Sequence, residues 1–194
     1  GFVSRNLNVL RQAYITYIRP LLEYTSNVWS PHLITQVNSL EKVQRHFTKR
    51  IIELHELSYK DRPTVLNLET LEHRRLSSDL TMYYKVSYNL IPWPPSDYFN
   101  VFIPPHDLQS VHHDFNIRKP LCRTNTFAND FFNRRVSAWN SLPSFIVNSE
   151  SVARLGVFLE ILTCLNFLYI NFSIAFNLFR SVCNYVLIIM LGSH

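Results

Sequence analysis

Glycine is absent from residue 2 to residue 155 of this 194-residue chain. Glycine is the residue that reaches positive φ without steric cost and lets a phosphate group approach the backbone. Motifs built on glycine are therefore missing from this stretch, including phosphate-binding loops, dinucleotide fingerprints and the sharp turn that presents a catalytic serine. The pattern that remains is helical, so the sequence predicts a mainly α fold: a small helical bundle with a proline-rich connector and an apolar helical tail.

The clearest predicted helix lies within residues 37–54, where one stripe of positions recurs every three or four residues. This stripe contains Val37, Leu40, Gln44, Phe47, Ile51 and Leu54. Four cations lie off the stripe: Lys42, Arg45, Lys49 and Arg50. One side of this helix is therefore expected to be buried and the other to be cationic.

Two further helices flank this one in the predicted order. The first covers residues 7–24 and is expected to break or kink at Pro20, which removes a backbone donor and crowds the preceding turn. The second runs from about Thr70 to Asn89, with Asn67 as the stop of the segment before it. Its solvent side is expected to show Arg74, Arg75 and Lys85.

An aromatic segment at residues 131–143 is predicted to form one helix, beginning near Asn125 or Thr126 and stopped by Pro143. At steps of three and four it places Phe131, Phe132, Arg135 and Trp139 on one side. Large aromatic residues are most often buried, and the expected core residues are Trp29, Phe47, Phe131, Phe132 and Trp139. Arg134 and Arg135 are expected at the edge of that core.

Composition divides the chain into four regions. Residues 1–90 are predicted to form a helical region, which the resemblance given below implies to be thumb-like. Residues 91–123 are predicted to form a proline-rich connector in which Phe99, Val101 and Ile103 alternate like a short edge strand. Residues 124–152 form the aromatic helix region. Residues 155–191 form an apolar tail, and its uncharged run at 161–179 has nineteen residues. About 20 are needed to cross a bilayer, so this run is a candidate transmembrane helix.

Charge and cysteine usage restrict the partners and the compartment. Residues 1–154 carry 18 of the 19 Lys and Arg and 13 of the 14 Asp and Glu, so the body is basic and the tail nearly uncharged. A basic body favours polyanions such as nucleic acid. The odd count of three widely spaced cysteines predicts reduced thiols in an intracellular compartment, the cytoplasm or the nucleus. His106, His112, His113 and Cys122 have no standard zinc-ligand spacing, so no metal site is predicted.

Several ordered blocks resemble the C-terminal thumb and post-thumb region of reverse transcriptases of non-LTR retrotransposons, of the jockey and CR1 kind. The blocks are AYITYIRPLLEY at 13–24, NVWSP at 27–31, LEKVQRHFTKRI at 40–51, LSYKDR at 57–62 with LETLEHRRL at 68–76, and KPLCRTN at 119–125 with FFNRRVSAWNSLP at 131–143. The resemblance covers about residues 7–152. The tail departs from it, because the family would have a charged amphipathic helix there.

The resemblance implies a fragment of an RNA-directed DNA polymerase. Such enzymes hold two metal ions with closely placed carboxylates. This chain has no adjacent pair of aspartates. The catalytic palm domain, with its Mg²⁺, is therefore expected upstream of Gly1 in the same polyprotein, and this segment alone is predicted to be inactive, without catalytic residues, metal or cofactor. Its expected partners are an RNA template, a DNA primer and the palm domain.

Basic helix flanks are the expected contact with nucleic acid, because lysine and arginine neutralise phosphates without reading sequence. The predicted residues are Lys42, Arg45, Lys49 and Arg50, followed by Arg74, Arg75 and Lys85. The plain alternative is a solvated helix face. Two alternative functions stay open at this point: a membrane-anchored helical protein with a basic cytosolic domain, and a structural helical module that binds a protein partner.

Overall fold

In the computed structural model, the described residues are 6–94, 96, 99 and 113–164. This part of the chain is mainly helical, which confirms the predicted fold class, and it contains no β-strand. Two compact units are separated between Asn148 and Ser149. The helices on both sides of the proline-rich connector belong to the first unit. Of the predicted strand, Val101 and Ile103 lie outside the described residues.

The N-terminal helical segment contains a wide π-helical turn. Helix α1 (Leu7–Ala13) begins at Asn6, whose side chain accepts hydrogen bonds from the Asn8 and Val9 amides. The π turn covers Tyr14–Ile18, and α2 (Arg19–Glu23) follows it. Pro20 explains this arrangement, because it lacks an N–H group and its ring crowds the carbonyl four residues earlier. The helical path thus continues past the proline by widening one turn.

Among the described residues, the left-handed backbone positions are occupied by residues other than glycine. The next helices are α3 (Ser26–Trp29), α4 (Ile34–Lys49), a 3₁₀ turn (Ile52–Leu54), α5 (Asp61–Leu66) and α6 (Leu71–Ser87). Positive φ occurs at Thr25 (50°), Asn67 (48°) and Asn89 (52°). The predicted stop at Asn67 is confirmed. Thr25 is more unusual, because a β-branched residue is strained at positive φ.

Helix α4 packs on the N-terminal segment through an aromatic contact and a small apolar core. The Tyr14 and Phe47 rings lie 5.0 Å apart between centroids. The core cluster contains Tyr14, Ile51, Leu54, Leu66 and Leu68. Ile51 and Leu54 belong to the predicted apolar stripe, so the periodicity of the sequence identified the buried side of this segment.

The aromatic segment forms several short helices and not the single helix that its spacing predicts. They are α7 (Asn125–Ala128), α8 (Phe131–Arg134), α9 (Val136–Asn140) and α10 (Ser144–Val147). Thr124 and Asp130 accept backbone N–H groups at the starts of α7 and α8. Arg135 separates α8 from α9 with φ −113° and ψ 5°. Consecutive residues of one α-helix point about 100° apart, and this break lets two consecutive arginines reach one carboxylate.

The second unit contains helix α11 (Val152–Cys164). Arg154 pairs with Glu150 at 2.8 Å on its exposed side, and Leu155 and Leu159 are buried. None of the helices formed by the described residues has the length and apolar character required to span a bilayer. Most of the predicted span at 161–179 lies outside the described residues.

Candidate nucleic-acid interface

Helix α4 has two opposite faces of different chemistry. Glu41, Gln44 and Thr48 are buried on one face. The other face carries four exposed cations, named here the basic stripe: Lys42, Arg45, Lys49 and Arg50. At about 100° per residue, Lys42, Arg45 and Lys49 fall within about 60° of one another around the helix axis. Lys42, Arg45 and Lys49 therefore share one exposed side of the helix, and Arg50, the residue that follows the last turn, lies about 80° from Lys42 around the axis.

The basic stripe is not neutralised by the described part of the protein, where no carboxylate pairs with any of its four cations. The Arg45 guanidinium lies over the Tyr59 ring, 4.6 Å from its centroid. Arg50 contacts the His46 ring nitrogen at 3.4 Å. The stacking on Tyr59 leaves the guanidinium edge available to an anion while it limits the motion of the side chain.

Buried polar side chains set the rotation of α4 and hence the direction of the stripe. Gln44 accepts a hydrogen bond from the Tyr14 hydroxyl at 2.8 Å and donates to the Glu69 carbonyl at 3.1 Å. The Glu41 carboxylate accepts the Leu71 amide at 3.1 Å and also accepts the Tyr59 hydroxyl. A rotation of α4 would leave these buried groups without partners, which costs about 1–3 kcal/mol for each group.

The second predicted basic group, on α6, differs from the expected solvent-exposed flank. Arg74 forms a two-pronged ion pair with Glu23 and a third bond to Glu69 at 3.3 Å. The hydrogen bonds that Arg74 donates to Glu23 raise the pKa of Arg74. Arg75 is buried, and its burial lowers its pKa. Lys85 is half-buried. The α6 arginines therefore form contacts within the fold. The prediction that Arg74, Arg75 and Lys85 lie on a solvent-exposed helix flank is wrong.

A buried carboxylate that sequence reasoning did not single out organises the region where α3, α6 and α8 meet. Asp79 accepts two bonds from Arg134, at 2.8 and 3.0 Å, and one from the Arg135 Nε at 3.2 Å. The Asn27 amide donates to the same carboxylate at 3.1 Å. Arg134 also donates to the Asn27 carbonyl at 2.7 Å. The expected place of both arginines, beside the aromatic core, is where the structure has them.

The predicted aromatic core residues are distributed between the interior and the surface. Trp139 and Phe131 are buried, and Phe47 and Phe132 are half-buried. Trp29 corrects the prediction, because it is 39% exposed. It ends α3, a single turn whose buried residue is Ser26, and its indole N–H donates to the Tyr24 carbonyl. An exposed tryptophan so placed is not part of the core.

The described residues contain no group of three or more His, Cys, Asp or Glu side chains that could hold a metal ion. His113, one of the histidines noted in the connector, contacts the Trp139 carbonyl through its Nε2 at 3.1 Å. His106 and His112 lie outside the described residues. Within the described part of the chain, the basic stripe is thus the only polar surface that contains several of the predicted site residues.

Fold and site together define a helical domain with a cationic helix face, and comparisons with known proteins add one partial similarity. No family model matches the chain, and no solved structure matches it. The chain is 25% identical over 88 residues to an uncharacterized protein of Caenorhabditis elegans, B0403.1. The match covers 44% of each chain, so it spans less than half the length of that relative. This similarity carries no statement about activity.

Proposed function

We propose that this chain is the C-terminal part of the RNA-directed DNA polymerase of a non-LTR retrotransposon and holds the template RNA and primer DNA beside a catalytic domain encoded upstream. Two observations support the proposal: the ordered sequence blocks that resemble this enzyme region, and the exposed, unpaired basic stripe on α4. Bond formation, with its carboxylates and Mg²⁺, is assigned to the upstream domain. The chain itself contributes positioning and neutralisation of charge.

The dimensions of the basic stripe suit a nucleic-acid backbone. Lys42 and Lys49 are separated by seven residues, which corresponds to a rise of about 10 Å along the helix. A stripe of this length can contact successive phosphates of one strand without reading the bases. Arg45, held on the Tyr59 ring, would present its guanidinium edge between the two lysines. The observation that carries the proposal is this exposed group of cations opposite a buried polar face.

The salt dependence of binding tests the role of the basic stripe. We expect the full chain to bind a primer–template duplex with an affinity that falls steeply as salt rises. Fluorescence anisotropy at salt concentrations between about 50 and 300 mM would measure this dependence. Each phosphate contact adds about 0.9 to the slope of log K against log salt. The variant Lys42→Gln, Arg45→Gln, Lys49→Gln should therefore lower the slope by about 2.7.

The matched control removes the same charge from exposed positions outside the stripe: Arg118→Gln, Lys119→Gln and Arg123→Gln. This control should retain the wild-type slope to within about 0.5, because general attraction is screened over about 10 Å at 0.1 M salt. If the salt slope fell equally in the two triple variants, net charge and not the stripe would drive binding. Binding that ignores salt would reject the proposal.

A helical module for a protein partner is the second candidate function, and one observation favours it. Leu21, Tyr24 and Val28 are more than three-quarters exposed, which is unusual for large apolar side chains in adjacent helices. Unchanged nucleic-acid binding by the stripe variant would favour this second function. In that case the cations of α4 would be a solvated helix face.

A further inference from the structure

Arg75 is buried without hydrogen-bond partners for the end of its side chain. The residue is 2% exposed, and neither Nη1 nor Nη2 has an acceptor in the described part of the protein. These two nitrogens carry four of the five N–H donors of a guanidinium group. Buried polar atoms are nearly always paired, and a buried charge without a partner is costly. Arg75 therefore holds four buried donors that could bind an anion.

The carboxylates around Arg75 are already engaged. Asp79, one turn later on α6, accepts its four bonds from Arg134, Arg135 and Asn27. Glu41 accepts the Tyr59 hydroxyl with one oxygen and the Leu71 amide with the other. Glu72 is exposed to solvent. Attraction from Glu41 and Glu72 acts on Arg75 through space, but neither carboxylate forms a hydrogen bond with its terminal nitrogens.

Arg135 supplies a second cation near Arg75, and this cation is partly exposed to solvent. Arg135 bonds to Asp79, which lies four residues after Arg75 on the same side of α6, so the two arginines lie on either side of one carboxylate. Burial lowers the pKa of Arg75, and the charge of Arg135 acts in the same direction. Arg135 bonds to Asp79 through Nε, and its side chain is 27% exposed. Its terminal nitrogens have no acceptor among the described residues. Arg75 thus holds unpaired buried donors close to a second, partly exposed guanidinium group.

We propose that Arg75 and Arg135 bind a phosphate group, either free phosphate or the terminal phosphate of a nucleic acid. The fork of a guanidinium group matches two oxygens of a phosphate, and such charge-assisted bonds are the strong ones. A terminal phosphate carries a charge of about −1.5 to −2 at neutral pH, which suits two adjacent cations better than the single charge of a carboxylate or a phosphodiester. This site is separate from the basic stripe and does not depend on the function proposed above.

Thermal unfolding of the full chain tests the site, with sodium phosphate as the probe and sodium chloride of equal ionic strength as the reference. A dissociation constant of about 1 mM would make 10 mM phosphate raise the unfolding midpoint by about 3–6 °C for a chain of this size. Arg75→Met keeps the length of the side chain and removes the unpaired donors. We expect this variant to be at least as stable as the wild type without phosphate and to lose the phosphate shift.

Direct binding keeps the test decisive if Arg75→Met does not fold. Equilibrium dialysis with labelled phosphate should show one site in the wild type, and Arg75→Lys, which keeps the charge but not the fork, should weaken binding by about tenfold. Lys49→Met on the basic stripe is the control and should bind phosphate like the wild type. A phosphate shift that survives in Arg75→Met, or weakened binding in Lys49→Met alone, would overturn the proposal.

Competition distinguishes the two sources of the phosphate group. A 5′-phosphorylated dinucleotide should displace labelled phosphate if the site receives a nucleic-acid end, and the same dinucleotide with a 5′-hydroxyl should not. Displacement by neither dinucleotide would assign the site to free phosphate, which also upholds it. Equal displacement by both would contradict the preference for a dianion on which the proposal rests.

Discussion

The buried carboxylate of Asp79 gives the sharpest prediction about stability. Its side chain is fully buried, whereas the side chains of Arg134 and Arg135 are 8% and 27% exposed. Asp79→Ala would leave Arg134 buried with only backbone carbonyls as acceptors. Removal of one partner from a buried ion pair costs about 3–5 kcal/mol, a large part of the 5–15 kcal/mol that stabilises a typical domain. For a chain of this size the unfolding midpoint should fall by about 6–20 °C.

Urea unfolding would measure this loss of stability, with the helical signal followed by circular dichroism at about 222 nm. Glu150→Ala is the matched control, because Glu150 pairs with Arg154 in an exposed i, i+4 arrangement. Such surface pairs contribute about 0.3–0.5 kcal/mol. The double variant Asp79→Leu with Arg134→Met should be more stable than either single variant, because it removes both buried charges. A cost for Asp79→Ala no larger than that of Glu150→Ala, or additive single effects, would refute the reasoning.

Three further predictions concern the backbone, a buried cap and alkaline pH. Thr25→Gly should raise the free energy of unfolding by about 1 kcal/mol, because it relieves a β-branched residue at φ 50°. Thermal unfolding would measure this gain, and a loss of stability would contradict the strain argument. Glu41→Gln should cost about 1–2 kcal/mol, since an amide cannot accept both the Tyr59 hydroxyl and the Leu71 amide with its oxygen. Glu56→Gln, at an exposed position, should cost nothing measurable in the same urea titration. Burial raises the pKa values of Tyr14, Tyr59 and Tyr83 above the ordinary value of 10.0. The unfolded chain therefore loses these protons at a lower pH than the folded chain. The contribution of the protonated tyrosines to the free energy of unfolding is complete below pH 10 and is lost as the pH rises above it. Tyr14→Phe should reduce the alkaline slope of the free energy of unfolding by about 1.4 kcal/mol per pH unit, and an unchanged slope would exclude Tyr14 as a cause.

The sequence predicts those parts of the fold that depend on neighbours along the chain. The spacing of Val37 to Leu54 identified the buried side of α4, because side chains three and four residues apart share one helix face. Asn67 was recognised as a helix stop from its tolerance of positive φ, and α6 starts one residue after its predicted start. Each of these signals is contained within about one or two helical turns.

Features that depend on distant residues could not be read from the sequence. The spacing of Phe131, Phe132, Arg135 and Trp139 indicates one helix, but the chain breaks at Arg135, where two arginines meet Asp79. That carboxylate lies 55 and 56 residues earlier in the chain. Glu41 and Gln44 are polar residues whose partners are likewise distant. Without those partners in view, burial of a charged or amide side chain is the less probable choice on general grounds.

Within the described residues, several arginines are bound by acceptors of the fold, and this distinguishes them from the cations of the basic stripe. Arg62 donates to the Leu54 and Leu57 carbonyls, Arg74 pairs with Glu23, and Arg134 pairs with Asp79. These arginines already have acceptors within the fold, and a phosphate would have to displace them. Among the described residues, no carboxylate or backbone carbonyl accepts a hydrogen bond from the side chains of the basic stripe. Substitution of Arg74 should therefore weaken binding at the stripe only through loss of folding, whereas substitutions on the stripe should weaken binding and leave the unfolding midpoint nearly unchanged.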